Sequence, residues 1–374
     1  MSDHLPSAHP VATSVQDPAT GRPAGTAQAV VLLLSSCLSV LGAVLLAPVL
    51  PAIQNAFADT PGVATLTPVV LTVPALVIGL TAPLAGRIIN RLGRKRLLVG
   101  ALLVYAVVGT APLWLASLPL IVASRALVGL TEAAIMTCCT TLLADYFDGV
   151  RRQRYFGLQV VCTTVAATVF FAVGGLLGAN GWRTPFWLYA VSLPLAFLAA
   201  RHLWQPPVQP RAKLPALPWR TLLVPVGVSG AGGLVFYVLI VELSYVLDRI
   251  GVTSTATIGA VSAIGSLATA IAAAGYARVA RFGPAITVPA AFVLCGLGIL
   301  GLALAGTVPV AAVSAVIAGL GNGSLDLGRV HRPVRLPARR AGARRCPRRP
   351  VRGPARSGSR RPFVALGVRF LCIA

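Results

Sequence analysis

The chain has 374 residues, of which 56% are hydrophobic and 11% are charged, and its mean hydropathy is +0.82. A soluble globular protein of this composition would have too little polar surface to cover itself, so the composition predicts a protein whose solvent is lipid. The formal net charge of +23 would suit a nucleic-acid-binding protein, but 14 arginines and no acid lie in residues 327–374, which leaves +9 for residues 1–326. We therefore predict an all-α polytopic membrane protein with the bilayer, not nucleic acid, as its partner.

Ten apolar runs are long enough to cross about 30 Å of hydrocarbon as helices. In chain order they are 27–50, 66–85, 97–117, 120–143, 157–177, 185–200, 222–246, 257–277, 285–305 and 308–325. Residues 1–26 are polar and have no basic n-region, so we expect a disordered cytoplasmic N-terminus and no cleaved signal peptide. The seven cysteines show no C-x-x-C or Cys/His spacing, so no metal, disulfide or cofactor is predicted.

The orientation follows from the basic residues between the runs, because loops rich in Lys and Arg stay in the cytoplasm. With the N-terminus inside, 15 of the Lys and Arg residues up to position 326 fall on the cytoplasmic side. Only Arg183 and Arg249 fall on the outer side. The sequence thus predicts a multi-pass protein whose N-terminus is cytoplasmic.

Residues 204–220 form a Pro-rich polar stretch that cannot cross a membrane and is predicted to be a cytoplasmic linker. Six runs precede it, so residues 27–203 are predicted to form an N-terminal six-helix bundle and residues 221–325 a partial C-terminal bundle of about four helices. Arg281-Phe282-Gly283 follows the eighth run as Arg91-Leu92-Gly93 follows the second. This correspondence is typical of parallel repeats in a transporter.

The segment between the second and third runs has the pattern G-x-x-x-N-R-x-G-R-K, given by Gly86, Asn90, Arg91, Gly93 and Arg94-Lys95. It resembles the signature of the major facilitator superfamily, G-x-x-x-D-R-x-G-R-K/R, with Asn90 where the family usually has Asp. The likeness extends over about residues 28–325. It implies two six-helix bundles around a central cavity, with the last two of twelve helices missing here.

Three further segments resemble patterns of the family and occur in the expected order. They are residues 125–132, Asp145-Tyr146-Phe147 and Gly181-Trp182-Arg183-Thr184-Pro185-Phe186. The fifth run has Gly174-Gly175 but Phe170-Phe171 in place of the Gly-Pro of proton-coupled drug antiporters. The resemblance implies a secondary transporter of small organic solutes that works by alternating access, coupled to protons, as an efflux permease. It also implies a monomer in a bacterial inner membrane. No nucleophile–base pair or phosphate-binding loop is visible, so an enzyme is not expected.

Arg125, Gly129 and Glu132 are spaced i, i+4, i+7 on one face of the fourth run. An ionisable group at membrane depth is a functional candidate, and we expect this face to line the transport cavity. Glu132 is the better proton carrier, because a desolvated carboxylate can take up a proton whereas Arg stays charged. The alternative for Arg125 is a packing role with its head group reaching the membrane surface. Glu242 either faces the cavity from the other half or lies at the outer interface.

The basic segment admits two interpretations. As a topology anchor it needs only positive charge. As a gating loop, which we favour, it uses Gly86 for close helix approach and Gly93 for a tight turn, with Arg91, Arg94 and Lys95 clamping neighbouring helices. Asn90 would keep hydrogen bonding in such a clamp but lose ion pairing.

From residue 326 to residue 374 the chain is rich in Arg and Pro and contains no spanning run. We expect an aberrant, out-of-frame tail; the alternative is a real polybasic extension that binds anionic lipid or nucleic acid through phosphate contacts. The rival to a working carrier is accordingly a truncated product that inserts but does not transport. A measurement of coupled flux separates the two.

Overall fold

The structure is a computed structural model that describes residues 21, 23–206 and 219–330. The predicted N-terminal segment and the linker lie largely outside this part, and the tail beyond residue 330 lies wholly outside it. For residues 82–91 and a few others the backbone alone is described.

The described chain is built from helices, with no β-strand among its elements. Ten of them, labelled in chain order, correspond to the ten predicted runs: α1 (Thr26–Ala56), α2 (Val63–Leu92), α3 (Arg94–Thr110), α4 (Leu118–Tyr146), α5 (Gly149–Gly178), α6 (Ser192–His202, after a 3₁₀ segment Thr184–Val191), α7 (Trp219–Arg249), α8 (Thr255–Val279), α9 (Pro284–Ala303) and α10 (Val308–Val330). Eight described helices are long and apolar enough to cross a membrane. The all-α polytopic fold is therefore confirmed, although α10 runs five residues past the predicted boundary.

The predicted gating loop is wrong in one respect, because it is not a loop. Helix α2 continues through Gly86, Asn90 and Arg91 to Leu92, and α3 begins at Arg94. Gly93 alone separates the two helices, with a positive φ of 80°. The charges misled the prediction because Arg is a good helix former whose long side chain can reach the membrane surface from the last turns of a helix.

Gly283, the counterpart of Gly93 in the second half, also has φ 80° and also precedes a helix, α9. This left-handed conformation suits glycine, which has no Cβ to clash with the following carbonyl. The predicted repeat is supported at this turn.

Helix α1 is interrupted twice. Its α-helical pieces are Thr26–Cys37, Leu41–Val44 and Leu50–Ala56, joined by the 3₁₀ turns Leu38–Val40 and Ala47–Val49. Pro48 accounts for the second interruption, because it cannot donate to the carbonyl one turn earlier. The first interruption contains no proline.

The two ends of the bundle are defined by contacts between helix termini. On the proximal side, where α1 begins, the Gln28 side-chain amide donates to the carbonyl of His202 over 3.2 Å. On the distal side, where α1 ends, Phe57 stacks edge-on against Trp182 with ring centroids 5.5 Å apart. The Arg183 guanidinium on the same side donates to the carbonyl of Leu115 over 2.9 Å.

The two halves of the chain have separate apolar cores, one built by α1, α3, α4 and α6 and one by α7 to α10. A third cluster joins them and includes Ala47 and Leu50 of α1, Phe171 of α5 and Ile240 and Val241 of α7. The halves thus meet through the distal part of α1.

Helices α5 and α8 form a further contact between the halves. The Thr255 hydroxyl donates to the carbonyl of Gly175 over 2.9 Å, and Thr168 and Ser266 share a hydrogen bond of 3.0 Å. A Cβ built on Gly175 would lie 2.8 Å from the Cα of Gly259, so the two backbones touch. Both hydrogen bonds lie between the middle and the distal ends of the helices, which closes the distal side.

Candidate functional site

Helix α4 carries the three residues predicted to line a cavity. Arg125 is 0% exposed and Glu132, at the middle of the helix, is 1% exposed. Among the described residues neither forms an ion pair. Arg125, Gly129 and Glu132 instead contact different neighbouring helices of the first half.

Arg125 binds the end of α3. Its Nη2 donates to the carbonyls of Val108 and Gly109 over 3.1 and 3.0 Å. The carbonyl of Val108 needs an outside donor because the residue four positions on is Pro112, which has no N–H. A cation near the last carbonyls of a helix is also favoured by the helix dipole.

Two aromatic rings complete the surroundings of Arg125. Its guanidinium carbon lies 5.2 Å from the ring centroid of Phe186 and 5.0 Å from that of Tyr189. Gly109 admits Tyr189 to this position, since a Cβ at Gly109 would lie 2.3 Å from the tyrosine ring. Arg125 is thus buried and held by α3 and the segment before α6.

Gly129 is a packing residue. A Cβ built there would lie 2.5 Å from the carbonyl oxygen of Pro74 and 2.7 Å from its Cα. These are backbone atoms of α2 that cannot swing aside. Glycine at this position therefore lets α2 and α4 cross in contact.

Glu132 binds α1 and α3. Its Oε1 accepts the backbone N–H of Gly42 over 3.0 Å and lies 3.0 Å from the hydroxyl of Tyr105. The Tyr105 hydroxyl is also 2.8 Å from the carbonyl of Leu38. A Cβ at Gly42 would lie 2.5 Å from the same Oε1, so glycine leaves the room that the carboxylate occupies.

A polar cluster continues from Glu132 toward the proximal side. Met136 and Thr140 follow Glu132 at one-turn spacing, and Gln159 of α5, 4% exposed, reaches the same face. The Gln159 Nε2 donates to the hydroxyl of Ser36 over 2.8 Å and lies 3.4 Å from that of Thr140. The carboxylate thus lies at the distal end of this polar face, and the hydrogen bonds of Gln159 stay within its proximal part.

The predicted gating residues lie at the proximal ends of α2 and α3. Gly86, Asn90 and Arg91 are helical residues whose side chains are outside the described part. Arg94 forms an ion pair with Asp145 at the end of α4. The backbone N–H of Lys95 donates to the side-chain Oε1 of Gln205 over 3.0 Å, which caps the start of α3 from beyond α6.

Glu242 is exposed on α7 and is not among the contacts of Arg125 or Glu132. Five aromatic residues nearby divide into two groups. Phe170, Phe171, Tyr237 and Tyr245 belong to the cluster that joins the halves, whereas Trp182 packs on Phe57 at the distal surface.

Sequence reasoning missed Gly42, Tyr105 and Gln205. Gly42 and Tyr105 each stand in an apolar run with no polar neighbour to mark them, and Gln205 was assigned to the linker. Phe186 lay within a recognised pattern, but its contact with Arg125 depends on how α4 and the segment before α6 pack.

The model of the Major Facilitator Superfamily matches residues 32–328. The chain belongs to this superfamily. Among its relatives, the tetracycline resistance protein of class C from Escherichia coli is 33% identical over 181 residues, which are 47% of this chain and 44% of that protein. The chloramphenicol resistance protein of Streptomyces lividans is 31% identical over 156 residues, 41% of this chain and 39% of that protein. These matches span less than half the length of either relative.

Solved structures have the same fold. A bacterial homologue of the human lysosomal transporter Spinster, in an inward-facing and unoccupied conformation, superposes with a TM-score of 0.66 at 16% identity, over 82% of this chain and 74% of that one. A D-xylose–proton symporter superposes with a TM-score of 0.64 at 14% identity, over 80% of each chain. The superfamily fold and the multi-pass membrane topology are thus established.

Proposed function

We propose that the chain is a proton-coupled secondary transporter that exports small organic solutes by alternating access. The observation that carries the proposal is Glu132, a carboxylate buried at the middle of a spanning helix and held by α1 and α3. An ionisable group at this depth is costly, and such groups mark ion and proton pathways in membrane proteins. The names of the tetracycline and chloramphenicol resistance relatives favour drug-like solutes and export.

The described contacts between the halves support a state that is closed on the distal side and open on the proximal side. Both hydrogen bonds between α5 and α8 lie between the middle and the distal ends of these helices. The distribution of basic residues supports placing the proximal side in the cytoplasm, with the N-terminus inside. We propose a bacterial inner membrane, because the tetracycline and chloramphenicol resistance relatives are bacterial, and a monomer as the working unit.

Within this cycle Arg125 is a positioning residue, because it fixes the end of α3 to α4 and so holds Tyr105 beside Glu132. Arg94 and Lys95 belong to the proximal end, where the ion pair with Asp145 and the cap by Gln205 tie α3 to α4 and to the segment after α6. We propose that this end moves as one body when the halves rock.

The test is solute flux in proteoliposomes under an imposed pH gradient, with tetracycline, chloramphenicol, a sugar and an organic acid as the panel. Wild-type protein is expected to move at least one drug faster when the gradient is present, and Glu132→Gln is expected to lose this acceleration. Asp59→Asn, which removes an exposed carboxylate outside the spans, is the matched control. Gradient-independent flux, or no flux from folded protein, would contradict the proposal.

A further inference from the structure

The first interruption of α1 coincides with the contacts of Tyr105 and Glu132. In a continuous α-helix the N–H of Gly42 donates to the carbonyl of Leu38, four residues earlier. Here that N–H donates to the Glu132 Oε1, and that carbonyl accepts the Leu41 N–H of the 3₁₀ turn together with the Tyr105 hydroxyl. The α-helical pattern stops at Cys37 and resumes at Leu41.

The two side chains therefore stand where one backbone hydrogen bond of α1 would be. Side chains inserted into the i→i−4 ladder are a recognised cause of helix kinks. The interruption has no proline to explain it, and the glycine at position 42 is needed for the carboxylate to enter. The Tyr105 hydroxyl lies 2.8 Å from the carbonyl oxygen of Leu38 and 3.0 Å from Glu132 Oε1, and that Oε1 lies 3.0 Å from the amide nitrogen of Gly42. These contacts connect the two ends of the interruption through the side chains of α3 and α4.

We propose that Tyr105 and Glu132 form a proton-sensitive clip that holds α1 interrupted at Leu38–Gly42, and that protonation of Glu132 releases Gly42 from this clip. This proposal rests on the proposed proton coupling and adds the structural change that protonation would cause. An ionised Glu132 is acceptor only: it accepts the Gly42 N–H, and the single proton of Tyr105 is shared between Glu132 Oε1 and the carbonyl of Leu38. The bonds to an ionised carboxylate are the stronger, charge-assisted kind.

A protonated Glu132 reverses the pattern. Its new O–H donates to the Tyr105 oxygen, and Tyr105, which has a single proton, then donates to the carbonyl of Leu38. With the carboxylate charge gone, the Gly42 N–H loses its charged acceptor and can return to the carbonyl of Leu38, its partner in a regular helix. Proton uptake thus restores the backbone ladder of α1, the helix that joins the two cores on the distal side.

Among the described titratable side chains around Glu132 there is no second carboxyl group. Tyr105 of α3, Tyr189 before α6 and Tyr237 of α7 are phenols, and Arg125 of α4 is a guanidinium. Phenols stay neutral and guanidinium stays charged between about pH 5 and 9. Helix α1 presents backbone groups to Glu132 and no titratable side chain in hydrogen-bond contact with it. A pH response of α1 in this range is therefore assigned to Glu132.

The test is NMR of the full chain in lipid nanodiscs, with ¹⁵N-glycine and ¹³C-carbonyl leucine labels that select the eight Leu–Gly pairs of the chain. The Gly42 resonance is assigned by its loss from this set in Leu41→Ile, and the Leu38 carbonyl resonance by its loss in Leu38→Ile. In wild type the Gly42 amide resonance is expected to shift with pH in one step, and the Leu38 carbonyl resonance to shift at the same midpoint. Glu132→Gln is expected to abolish both shifts. Glu242→Gln, a change of the same kind at an exposed position on α7, is expected to keep them.

Tyr105→Phe provides a second variant that retains the carboxylate. It is expected to move the midpoint of the Gly42 shift and to remove the coupled shift of Leu38, whereas Tyr245→Phe leaves both unchanged. A pH-independent Gly42 resonance in wild type, a shift that persists in Glu132→Gln, or a Gly42 shift without a Leu38 shift would overturn the proposal. The NMR shifts are measured without transport. A protein without flux can therefore still show the pH-dependent shifts, and a protein with flux can lack them, so the two proposals are tested separately.

Discussion

Gly175 controls how closely the two halves approach on the distal side. In Gly175→Ala the new Cβ would lie 2.5 Å from the carbonyl oxygen of Thr255 and 2.8 Å from the Cα of Gly259. Ordinary van der Waals contact begins near 3.4 Å, so α5 and α8 must separate by roughly 0.5–1 Å, and the atoms met are backbone atoms that cannot rotate away. Overpacking of this kind costs about 1–3 kcal/mol.

Because the cost falls only on the state in which the distal side is closed, it acts on the equilibrium between conformations. A free energy of 1–3 kcal/mol corresponds to a roughly 5- to 150-fold shift in populations. We expect Gly175→Ala to move the protein from the distal-closed toward the distal-open state by a factor in this range, with a matching loss of gradient-driven flux.

The assay is a distance distribution between spin labels at Asp59 and Ser254, which are exposed near the distal ends of α1 and α8. Gly175→Ala is expected to add a population at longer distance. Gly157→Ala is the control on the same helix, because a Cβ there meets nothing within 4 Å and alanine favours the helix by up to about 1 kcal/mol. Identical distributions for the two variants would refute the reasoning.

Three further predictions concern the first half. Arg125→Lys should reduce flux about 10- to 100-fold, because a lysine cannot hold both carbonyls at the end of α3. The loss of one charged hydrogen bond costs about 1.5–3 kcal/mol, and unchanged flux would contradict this prediction. Gln205→Leu should lower the melting temperature in detergent through loss of a helix cap worth about 1 kcal/mol, while Gln205→Glu keeps the acceptor and should not. Arg94→Asp should impair flux and be partly rescued by adding Asp145→Arg, and equal flux in single and double variants would count against the ion pair.

Much of the fold could be predicted from the sequence because the bilayer imposes one length and one composition on every spanning helix. The ten apolar runs, the repeat marked by Gly93 and Gly283, and the family all followed from this constraint and from short motifs. The boundary at Leu92 was missed because a basic helical turn at a membrane surface looks like a loop in the sequence.

The site was predicted less completely, since its residues meet only through packing. Arg125 and Glu132 could be recognised as charges in apolar runs. Their position on one face of α4 does not determine which helices they contact. Tyr105 and Gly42 carry no charge, and their roles depend on the rotation of α1 and α3 about their axes. Pro112 was the one local signal for the partner of Arg125, because it leaves the carbonyl of Val108 without a donor.

The central claim is that Glu132 carries the proton that is exchanged for solute. The measurement that tests it most directly is simultaneous recording of drug and proton movement in the same proteoliposomes, with wild type and Glu132→Gln compared at equal protein content. We predict that drug export by wild type is accompanied by proton movement in the opposite direction, and that Glu132→Gln exchanges drug down its gradient without moving protons. Proton movement of unchanged stoichiometry in Glu132→Gln would contradict the claim.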